Sequence, residues 1–206
     1  MGLFITLEGP DGSGKSTQIR RLSELLGHSG IEVHTTREPG GTPISDQIRS
    51  MLLNPENRAM TAKTEMLLYA ASRAQHVAEV IRPALEQGRV ILCDRYIDAS
   101  LAYQATGLGI PLEEVRSINQ HATDGLWPTR TYLIDVPSEL GLQRAFAGRG
   151  KCLDRIEQRD LEYHRRVREQ FLQIAKEEPD RIVVIDGTQS VEAVTEAIWQ
   201  DIRRYL

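Results

Sequence analysis

Eight consecutive residues near the start of the chain have the types and spacing needed to hold the phosphates of a nucleotide. Gly9 and Gly14 are separated by four residues and followed by Lys15 and Ser16. Glycines let the backbone curl until successive amides point at phosphate oxygens. The lysine reaches the β and γ phosphates, and the hydroxyl is a ligand for Mg²⁺. The segment therefore predicts a P-loop, and the residues expected to bind ATP there are Gly9, Pro10, Asp11, Gly12, Ser13, Gly14, Lys15, Ser16 and Thr17.

A carboxylate that could help to hold the same metal follows a short apolar segment. Residues 90–93 read Val-Ile-Leu-Cys, which is typical of a buried strand, and Asp94 and Arg95 follow directly. An acid at the end of such a strand is the usual second magnesium ligand of a P-loop protein. We therefore expect Ser16 and Asp94 to bind Mg²⁺. The alternative for Asp94 is a simple strand-terminating turn, which the adjoining arginine makes less favoured.

The elements around these residues follow from alternating short apolar and longer amphipathic segments. Strands are predicted at residues 3–7, 31–35, 89–93, 131–135 and 182–185. Helices are predicted at residues 17–26, 42–53, 61–87 with a break near Pro83, 112–123, 138–147, 161–177 and 191–205. Strands separated by helices indicate parallel crossovers. We expect a three-layer α/β P-loop fold with a five-stranded parallel sheet, in which the site lies at the carboxyl ends of the strands.

The composition limits the classes of function. The chain has 206 residues, 26% of them charged, with a net charge of −4. This length suits a single domain over residues 1–206. The negative balance argues against a general nucleic-acid or anionic-membrane surface. The opening apolar segment is broken by Glu8, and no apolar run approaches the roughly 20 residues of a membrane span. We expect a soluble, cytoplasmic protein.

Three classes of P-loop protein remain to be compared. A GTPase switch would carry an Asn-Lys-x-Asp motif, which this sequence lacks. A motor or remodelling ATPase is usually a longer chain. A nucleoside or nucleotide kinase needs a second substrate site and a mobile lid that carries positive charge. The kinase interpretation predicts arginines scattered among the loops, and they are present at Arg37, Arg49, Arg73, Arg95, Arg144, Arg149 and Arg155.

Several further segments narrow the choice. They are TREPGGT at residues 36–42, YAASRAQH at 69–76, DRY at 94–96 with Ser100 and Gln104 after it, and LDRIE at 153–157. Together with the P-loop, these segments resemble bacterial thymidylate kinases along nearly the whole chain. That family transfers a phosphoryl group from ATP to dTMP with Mg²⁺ and has a nucleoside monophosphate kinase-like fold.

The resemblance implies a pocket for the thymine base. Tyr69 matches the aromatic residue that stacks on thymine, and Arg73 matches the arginine that binds a pyrimidine carbonyl. Ser100 and Gln104 match the polar pair beside the base. Without the resemblance, Tyr69 would read as an ordinary core residue.

The resemblance also implies how the sugar and phosphate of dTMP are bound. Asp11 matches the acid that accepts a hydrogen bond from the 3′-hydroxyl, and Tyr103 matches the ring that crowds the 2′ position. Arg95 matches the arginine between the acceptor phosphate and the γ-phosphoryl group, while Arg37 and Arg49 line the same pocket. The P-loop would then serve both substrates.

Glu38 and Arg144 complete the expected substrate contacts. Glu38 is either the ion-pair partner of its neighbour Arg37 or part of the water shell of Mg²⁺, and the following Pro39 allows a cis peptide bond. Arg144 matches a residue that packs on adenine, with the loop at residues 186–188 covering the other side of the base.

The catalytic arginine is expected in a lid at about residues 146–157. Members of the family carry it either in the P-loop or in the lid, and residues 10–13 contain no basic side chain. This places the chain in the lid-arginine type, with Arg149 favoured and Arg155 next. A solvated basic loop is the alternative. The expected catalytic residues are Lys15, Asp94, Arg95, Arg149 and Arg155.

The resemblance further implies a homodimer formed through the long helix at residues 65–85. Two other functions stay open on the sequence alone. A deoxynucleoside kinase would take thymidine itself and need no arginine for an acceptor phosphate. A regulatory protein would bind ATP as a signal and transfer nothing.

Overall fold

Five parallel strands form the centre of the molecule. A computed structural model describes residues 2–149 and 154–206, apart from the side chain of Arg149. The strands are β1 (Leu3–Glu8), β2 (Val33–Arg37), β3 (Val90–Asp94), β4 (Arg130–Asp135) and β5 (Ile182–Asp186). They lie in the order β2-β3-β1-β4-β5, and every neighbouring pair is parallel. The predicted five-stranded parallel sheet is confirmed.

Helices connect the strands and cover the sheet. Over the described residues they are α1 (Lys15–His28), α2 (Pro43–Leu53), α3 (Ala62–His76), α4 (Arg82–Glu86), α5 (Ile97–Ser100), α6 (Leu112–Thr123), α7 (Ser138–Arg149), α8 (Leu161–Glu177) and α9 (Val191–Ile202). Two π-helical segments, Val77–Ile81 and Leu101–Thr106, continue α3 and α5. None of the described helices is both long and apolar enough to cross a membrane.

The two faces of the sheet build two hydrophobic cores. Alternate residues of a strand point to opposite faces. Phe4 and Ile91 therefore pack with residues of α3, α6 and α8, whereas Ile5 and Leu92 pack with residues of α1 and α9. The helices on both faces hold the strands rigidly and leave the carboxyl ends of the sheet for the loops.

The segment between β2 and β3 differs from its prediction in two places. Strand β2 begins two residues later than expected, because the amide of Ile31 is bound to the Leu26 carbonyl in the turn that closes α1. The expected break near Pro83 is absent. The chain stays helical from Ala62 to Glu86, and the amide of Arg82 bonds to the carbonyl of Val77, five residues back. This wider π-helical turn accommodates a proline, which has no N–H to donate.

A helical stretch after β3 was not predicted. Helix α5 and the π-helical segment that follows occupy residues 97–106, and nearly all of them are buried. The stretch is buried on every side, and polar residues such as Asp98, Ser100 and Gln104 lie among its apolar ones, so it lacks the periodicity that identifies a surface helix. The stretch carries Ser100, Tyr103 and Gln104 to the carboxyl edge of the sheet.

The carboxyl ends of the five strands bring charges to one edge of the sheet. Each strand ends in a charged residue, and these are Glu8, Arg37, Asp94, Asp135 and Asp186. The register places Asp94 beside both Leu7 and Arg37, and Asp135 beside Asp186. Ligands of open parallel sheets bind at this edge, and the cleft described next is found there.

Candidate active site

One cleft of about 810 Å³ contains most of the predicted site residues. It is lined by the P-loop from Asp11 onward, by the arginines expected to bind the acceptor and by the residues expected around the base. Among the predicted residues with described side chains, three do not line it: Gly9, Pro10 and Arg155. The volume is within the range typical of small-molecule sites. Residues from the loops after the strands and from helices α1, α2, α3, α5, α7 and α9 thus meet in one place.

The P-loop has the backbone that its glycines predict. Gly9, Gly12 and Gly14 have φ angles of 134°, 72° and 98°, which side-chain-bearing residues rarely adopt. Lys15 folds back over the loop, and its Nζ donates to the carbonyls of Gly9 and Pro10 at 3.1 and 2.9 Å. Burial, reinforced by nearby Arg95, lowers the pKa of Lys15 to about 8. The loop and its lysine present a concentrated set of N–H donors to an anion.

Ser16 and Asp94 meet at the mouth of the P-loop. The hydroxyl of Ser16 donates to Oδ2 of Asp94 at 2.8 Å. These are hard oxygen ligands of the kind that Mg²⁺ prefers, and Mg²⁺ usually takes one or two protein ligands together with substrate phosphates and water. Within the described residues no cluster of three or more His, Cys, Asp or Glu could hold a metal unaided. The pair therefore fits Mg²⁺ that arrives with a nucleotide.

Arg95 joins the P-loop to the second half of the cleft. Its Nη2 donates to Oδ1 of Asp11 at 2.8 Å and to the Tyr103 hydroxyl at 3.1 Å. That hydroxyl donates in turn to Oδ2 of Asp11 at 3.2 Å. Burial alone would raise the pKa of Asp11, but the positive charges of Arg95 and Lys15 outweigh it and hold the value at about 2. Asp11 is thus an anion that orients Arg95.

The backbone of Arg95 is itself constrained. Its φ angle is 72°, a left-handed conformation that is unfavourable for a residue with a side chain. The amide of Arg95 donates to the Leu7 carbonyl at 3.0 Å, and the amide of Tyr96 donates to Oε1 of Glu8 at 2.6 Å. The last two residues of β1 therefore fix the turn that directs Arg95 into the cleft.

Arg73 is buried at the far end of the cleft and held from several sides. Its Nε donates to Oε2 of Glu38 at 2.6 Å, and Nη1 donates to the Ser100 hydroxyl at 3.0 Å. Further bonds run to the Tyr96 carbonyl at 2.9 Å and to the amide oxygen of Asn119. A guanidinium fixed in this way presents its remaining N–H in one direction.

One of the two expectations for Glu38, an ion pair with Arg37, is wrong. Its carboxylate points inward between Arg73 and the ring of His76, whose Nδ1 lies 2.8 Å from Oε1. Arg37 points outward to Asp46 at 3.4 Å. Consecutive residues of an extended segment point to opposite sides, so the side chains of Arg37 and Glu38 lie apart although the residues are adjacent in the sequence.

The other predicted substrate contacts lie along the same cleft. Tyr69 is half-buried in its wall, and Arg49 donates from Nη1 to the Pro39 carbonyl at 2.8 Å, next to the cis peptide bond between Glu38 and Pro39. At the P-loop end, Nη1 of Arg144 donates to the Gly187 carbonyl at 3.0 Å. Arg144 and the loop after β5 are therefore neighbours, and their contacts with the adenine of ATP stay a prediction.

Of the two arginines expected in the lid, the structure describes the side chain of Arg155 but not that of Arg149. Arg149 is the last residue of α7, and its side chain lies outside the described part of the chain, as do residues 150–153. Arg155 does not line the cleft. Its Nη2 pairs with Glu65 at 2.7 Å and its Nε donates to the Leu52 carbonyl at 2.8 Å. In this arrangement Arg155 fastens the end of the lid to α2 and α3, and its catalytic role stays a prediction.

The comparisons with known proteins agree with this geometry. A family model described as "Thymidylate kinase" matches residues 7–198. The chain belongs to the thymidylate kinase family. The predicted family, fold and kinase class are thereby confirmed.

The similarity extends over whole chains. A thymidylate kinase of Exiguobacterium sibiricum is 53% identical over 205 residues, covering 100% of this chain and 96% of that one. A thymidylate kinase of Deinococcus radiodurans is 52% identical over 198 residues, covering 96% and 95%. The crystal structure of thymidylate kinase from Ehrlichia chaffeensis superposes with a TM-score of 0.78 at 32% identity and covers 98% of both chains.

Several residues that build this kinase site were not found from the sequence. They are Glu8, Glu65, His76, Asn119 and Gly141. Gly141 lies so close to the P-loop that a side chain at Gly12 would collide with the Gly141 carbonyl. Each acts through a contact distant in sequence. Only Glu8 had a local signal, a charged residue at the end of an apolar strand.

Burial and the nearby Asp98 raise the pKa of Glu8 to about 8. The folded state then keeps a proton that the unfolded state releases, so Glu8 lowers stability progressively as pH rises from about 4.5 to 8. Glu8→Gln cannot ionise and keeps a hydrogen-bond acceptor for Tyr96. We compare the free energy of unfolding of Glu8→Gln with that of the wild type at each pH. We predict that this difference shifts in favour of the variant by a few kcal/mol from pH 5 to pH 8, on the order expected for such a pKa shift.

Urea unfolding of both proteins at the two pH values measures this difference. The matched control is Glu24→Gln, the same substitution at a carboxylate that is 55% exposed, which should not reproduce the change. A Glu8→Gln effect that is equal at pH 5 and pH 8 would contradict the prediction.

Proposed function

We propose that this kinase transfers the γ-phosphoryl group of ATP to the phosphate of dTMP, with Mg²⁺, to give dTDP and ADP. The observation that carries the proposal is the Asp11–Arg95–Tyr103 cluster, which joins a P-loop to an acceptor half of the same cleft. Relatives over the full length of the chain are named thymidylate kinases, which supports dTMP as the acceptor. We expect the enzyme to act in the cytoplasm.

The donor half of the site would bind and orient ATP. Backbone amides of the P-loop and the ammonium of Lys15 would bind the β and γ phosphates. Ser16 and Asp94 would hold Mg²⁺, which neutralises the charge of those phosphates when it is bound. Arg144 and the Gly187 loop would enclose the adenine.

The acceptor half would bind dTMP so that its phosphate meets the γ-phosphorus. Tyr69 would stack on the base, with Arg73, Ser100 and Gln104 along its edge. Asp11 would accept from the 3′-hydroxyl, and Tyr103 would crowd the 2′ position. These contacts set the distance of the acceptor phosphate from the P-loop.

Arg95 is suited to bind that acceptor phosphate, because its Nη1 is buried and has no hydrogen-bond partner among the described residues. Arg37 and Arg49 add positive charge nearby. In the transfer, a phosphate oxygen of dTMP forms a bond to the γ-phosphorus while the bond from that phosphorus to the β–γ bridging oxygen breaks. Catalysis of this step depends on in-line positioning and on neutralised charge.

We further propose that the active form is a homodimer, as the family resemblance implies. Leu67, Ala71, Ala74 and Ala78 follow one another at spacings of four, three and four residues along α3 and the π-helical segment after it, and Leu67 is 46% exposed. Small and apolar residues at this spacing suit close packing of two helices. Sedimentation equilibrium of the wild type would establish the assembly.

The acceptor specificity of the wild type tests the proposed reaction. With Mg-ATP present, we expect kcat/KM for dTMP to exceed that for thymidine by at least ~100-fold, because thymidine offers no phosphate to Arg95. A coupled assay of ADP release over a panel of nucleosides and monophosphates measures this ratio. Equal turnover of thymidine and dTMP would show a deoxynucleoside kinase instead. Tight ATP binding without dTDP formation would show a regulatory protein.

The lid assignment is tested by comparing two arginines. Arg149→Ala should lower kcat by ~10³-fold, because the transition-state charge loses its partner, and should change the Kd of dTMP by less than ~3-fold. Arg155→Ala should mainly lower the melting temperature, since it leaves Glu65 with fewer partners. Steady-state kinetics, dTMP titration and thermal unfolding of both variants measure these effects. Near-normal turnover of Arg149→Ala, or a larger loss of kcat in Arg155→Ala, would show that the lid is wrongly assigned.

A further inference from the structure

Glu65 is a buried carboxylate beside the cleft that makes no part of its lining. It lies in the first turn of α3 and is 1% exposed. Its Oε2 pairs with Arg155 and Arg159, both at 2.7 Å. Its Oε1 accepts from Nε2 of Gln104 at 3.1 Å. One carboxylate therefore contacts Arg155 at the end of the lid, Arg159 just after it, and a residue of the expected base pocket.

The two arginines determine what Glu65 can do toward Gln104. Both guanidinium groups donate to this carboxylate at 2.7 Å, and a carboxylate paired in this way can only accept hydrogen bonds. Gln104 must therefore turn its NH₂ group to Glu65. The opposite amide orientation would set two acceptor oxygens 3.1 Å apart in a buried site, without a proton between them.

This fixes the chemistry that Gln104 presents to the cleft. Gln104 lines the cleft, and within residues 2–149 and 154–206 no donor bonds to its Oε1. With Nε2 committed to Glu65, the carbonyl oxygen is the arm that is left for a ligand. Gln104 is thus set as a hydrogen-bond acceptor, although a free glutamine could equally donate.

The groups next to it are set as donors. The guanidinium of Arg73 can only donate, and Ser100 accepts from Nη1 of Arg73, which leaves its own O–H proton for a ligand. The base pocket therefore offers an acceptor beside donors. Thymine and uracil carry the complementary pair, an N–H at position 3 beside a carbonyl oxygen. Cytosine carries the reverse pair, a ring-nitrogen acceptor beside an amino group.

We propose that Glu65 is a positioning residue that determines base specificity, because it locks the Gln104 amide in the orientation that accepts from a keto pyrimidine and rejects cytosine. The inference rests on the proposed function, in that the cleft takes a pyrimidine monophosphate. It goes further by assigning the choice of base to a residue that does not touch the substrate. Polar groups placed for one hydrogen-bonding pattern discriminate strongly against a ligand that mismatches it.

Glu65→Gln tests this inference. The amide that replaces the carboxylate can donate as well as accept, so Gln104 can turn either way. The readout is kcat/KM for dTMP divided by kcat/KM for dCMP. Losses in ATP binding or lid closure act on both substrates and cancel in this ratio. We expect the ratio to fall at least ~10-fold, through weaker use of dTMP and better use of dCMP.

Two matched variants separate this effect from loosening of the lid. Arg159→Gln removes an ion pair from the same carboxylate but leaves the contact with Gln104, so its ratio should stay within ~3-fold of the wild type. In a Gln104→Ala background, Glu65→Gln should change the ratio no further, because the residue through which it acts is gone. If Glu65→Gln does not fold, Glu65→Asp keeps the charge, withdraws it from Gln104 and should lower the ratio too.

The outcomes are distinct. An unchanged ratio in Glu65→Gln, or an equal fall in Arg159→Gln, would overturn the specificity role. A further fall in the Gln104→Ala background would show that Glu65 acts by another route and would also overturn it. Failure of the wild type to phosphorylate dTMP would count against the proposed function, and it is measured before any variant.

Discussion

The ion pair between Asp11 and Arg95 is the constraint on which the rest of the site depends. Asp11 belongs to the loop expected to hold ATP, and Arg95 is the group best suited to hold the acceptor phosphate. Their contact at 2.8 Å, closed into a triangle by the Tyr103 hydroxyl, gives the two halves of the cleft a common reference point. A reaction between two anions needs such a fixed point, because the two phosphates repel each other and the protein must hold them at the reacting distance.

The sheet supplies the rigidity behind that contact. The P-loop follows β1 and Arg95 follows β3, and the two strands are neighbours in register. Both amides around the left-handed Arg95 bond to the last two residues of β1. Two buried groups next to this turn have shifted pKa values in opposite senses, with Asp11 at about 2 and Glu8 at about 8. One is held as an anion and the other as a neutral acid, so of these two carboxyl groups Asp11 is the one that attracts the guanidinium of Arg95.

Local patterns in the sequence predicted much of this arrangement. The glycine spacing of the P-loop, the apolar strands and the acid at the end of β3 are signals within a few residues, and the structure places them as expected. Residues 97–106 were missed because a helix that is buried on every side has no periodicity. Strand β2 was displaced because the turn closing α1 takes up Ile31.

Side-chain direction is the part that the sequence could not supply. Glu38 turns inward to Arg73 while Arg37 turns outward, and nothing local to either residue decides this. Arg155 carries the charge expected of a lid arginine, yet it pairs with Glu65, ninety positions earlier in the chain. Such partners are set by how α3, the lid and the helical stretch after β3 pack together. The residue that we infer to orient Gln104 was invisible for the same reason.

The most direct test of this two-substrate loop is the separate binding of ATP and dTMP to Asp11→Asn. The substitution keeps the shape of the side chain and removes the charge that orients Arg95. Isothermal titration should show the Kd of dTMP rising by at least ~10-fold while the Kd of Mg-ATP changes by less than ~3-fold, although Asp11 belongs to the ATP loop. Weaker binding of ATP alone would show that Asp11 serves the donor side only, and equal weakening of both ligands would show a general disturbance of the loop. Either result would contradict the account.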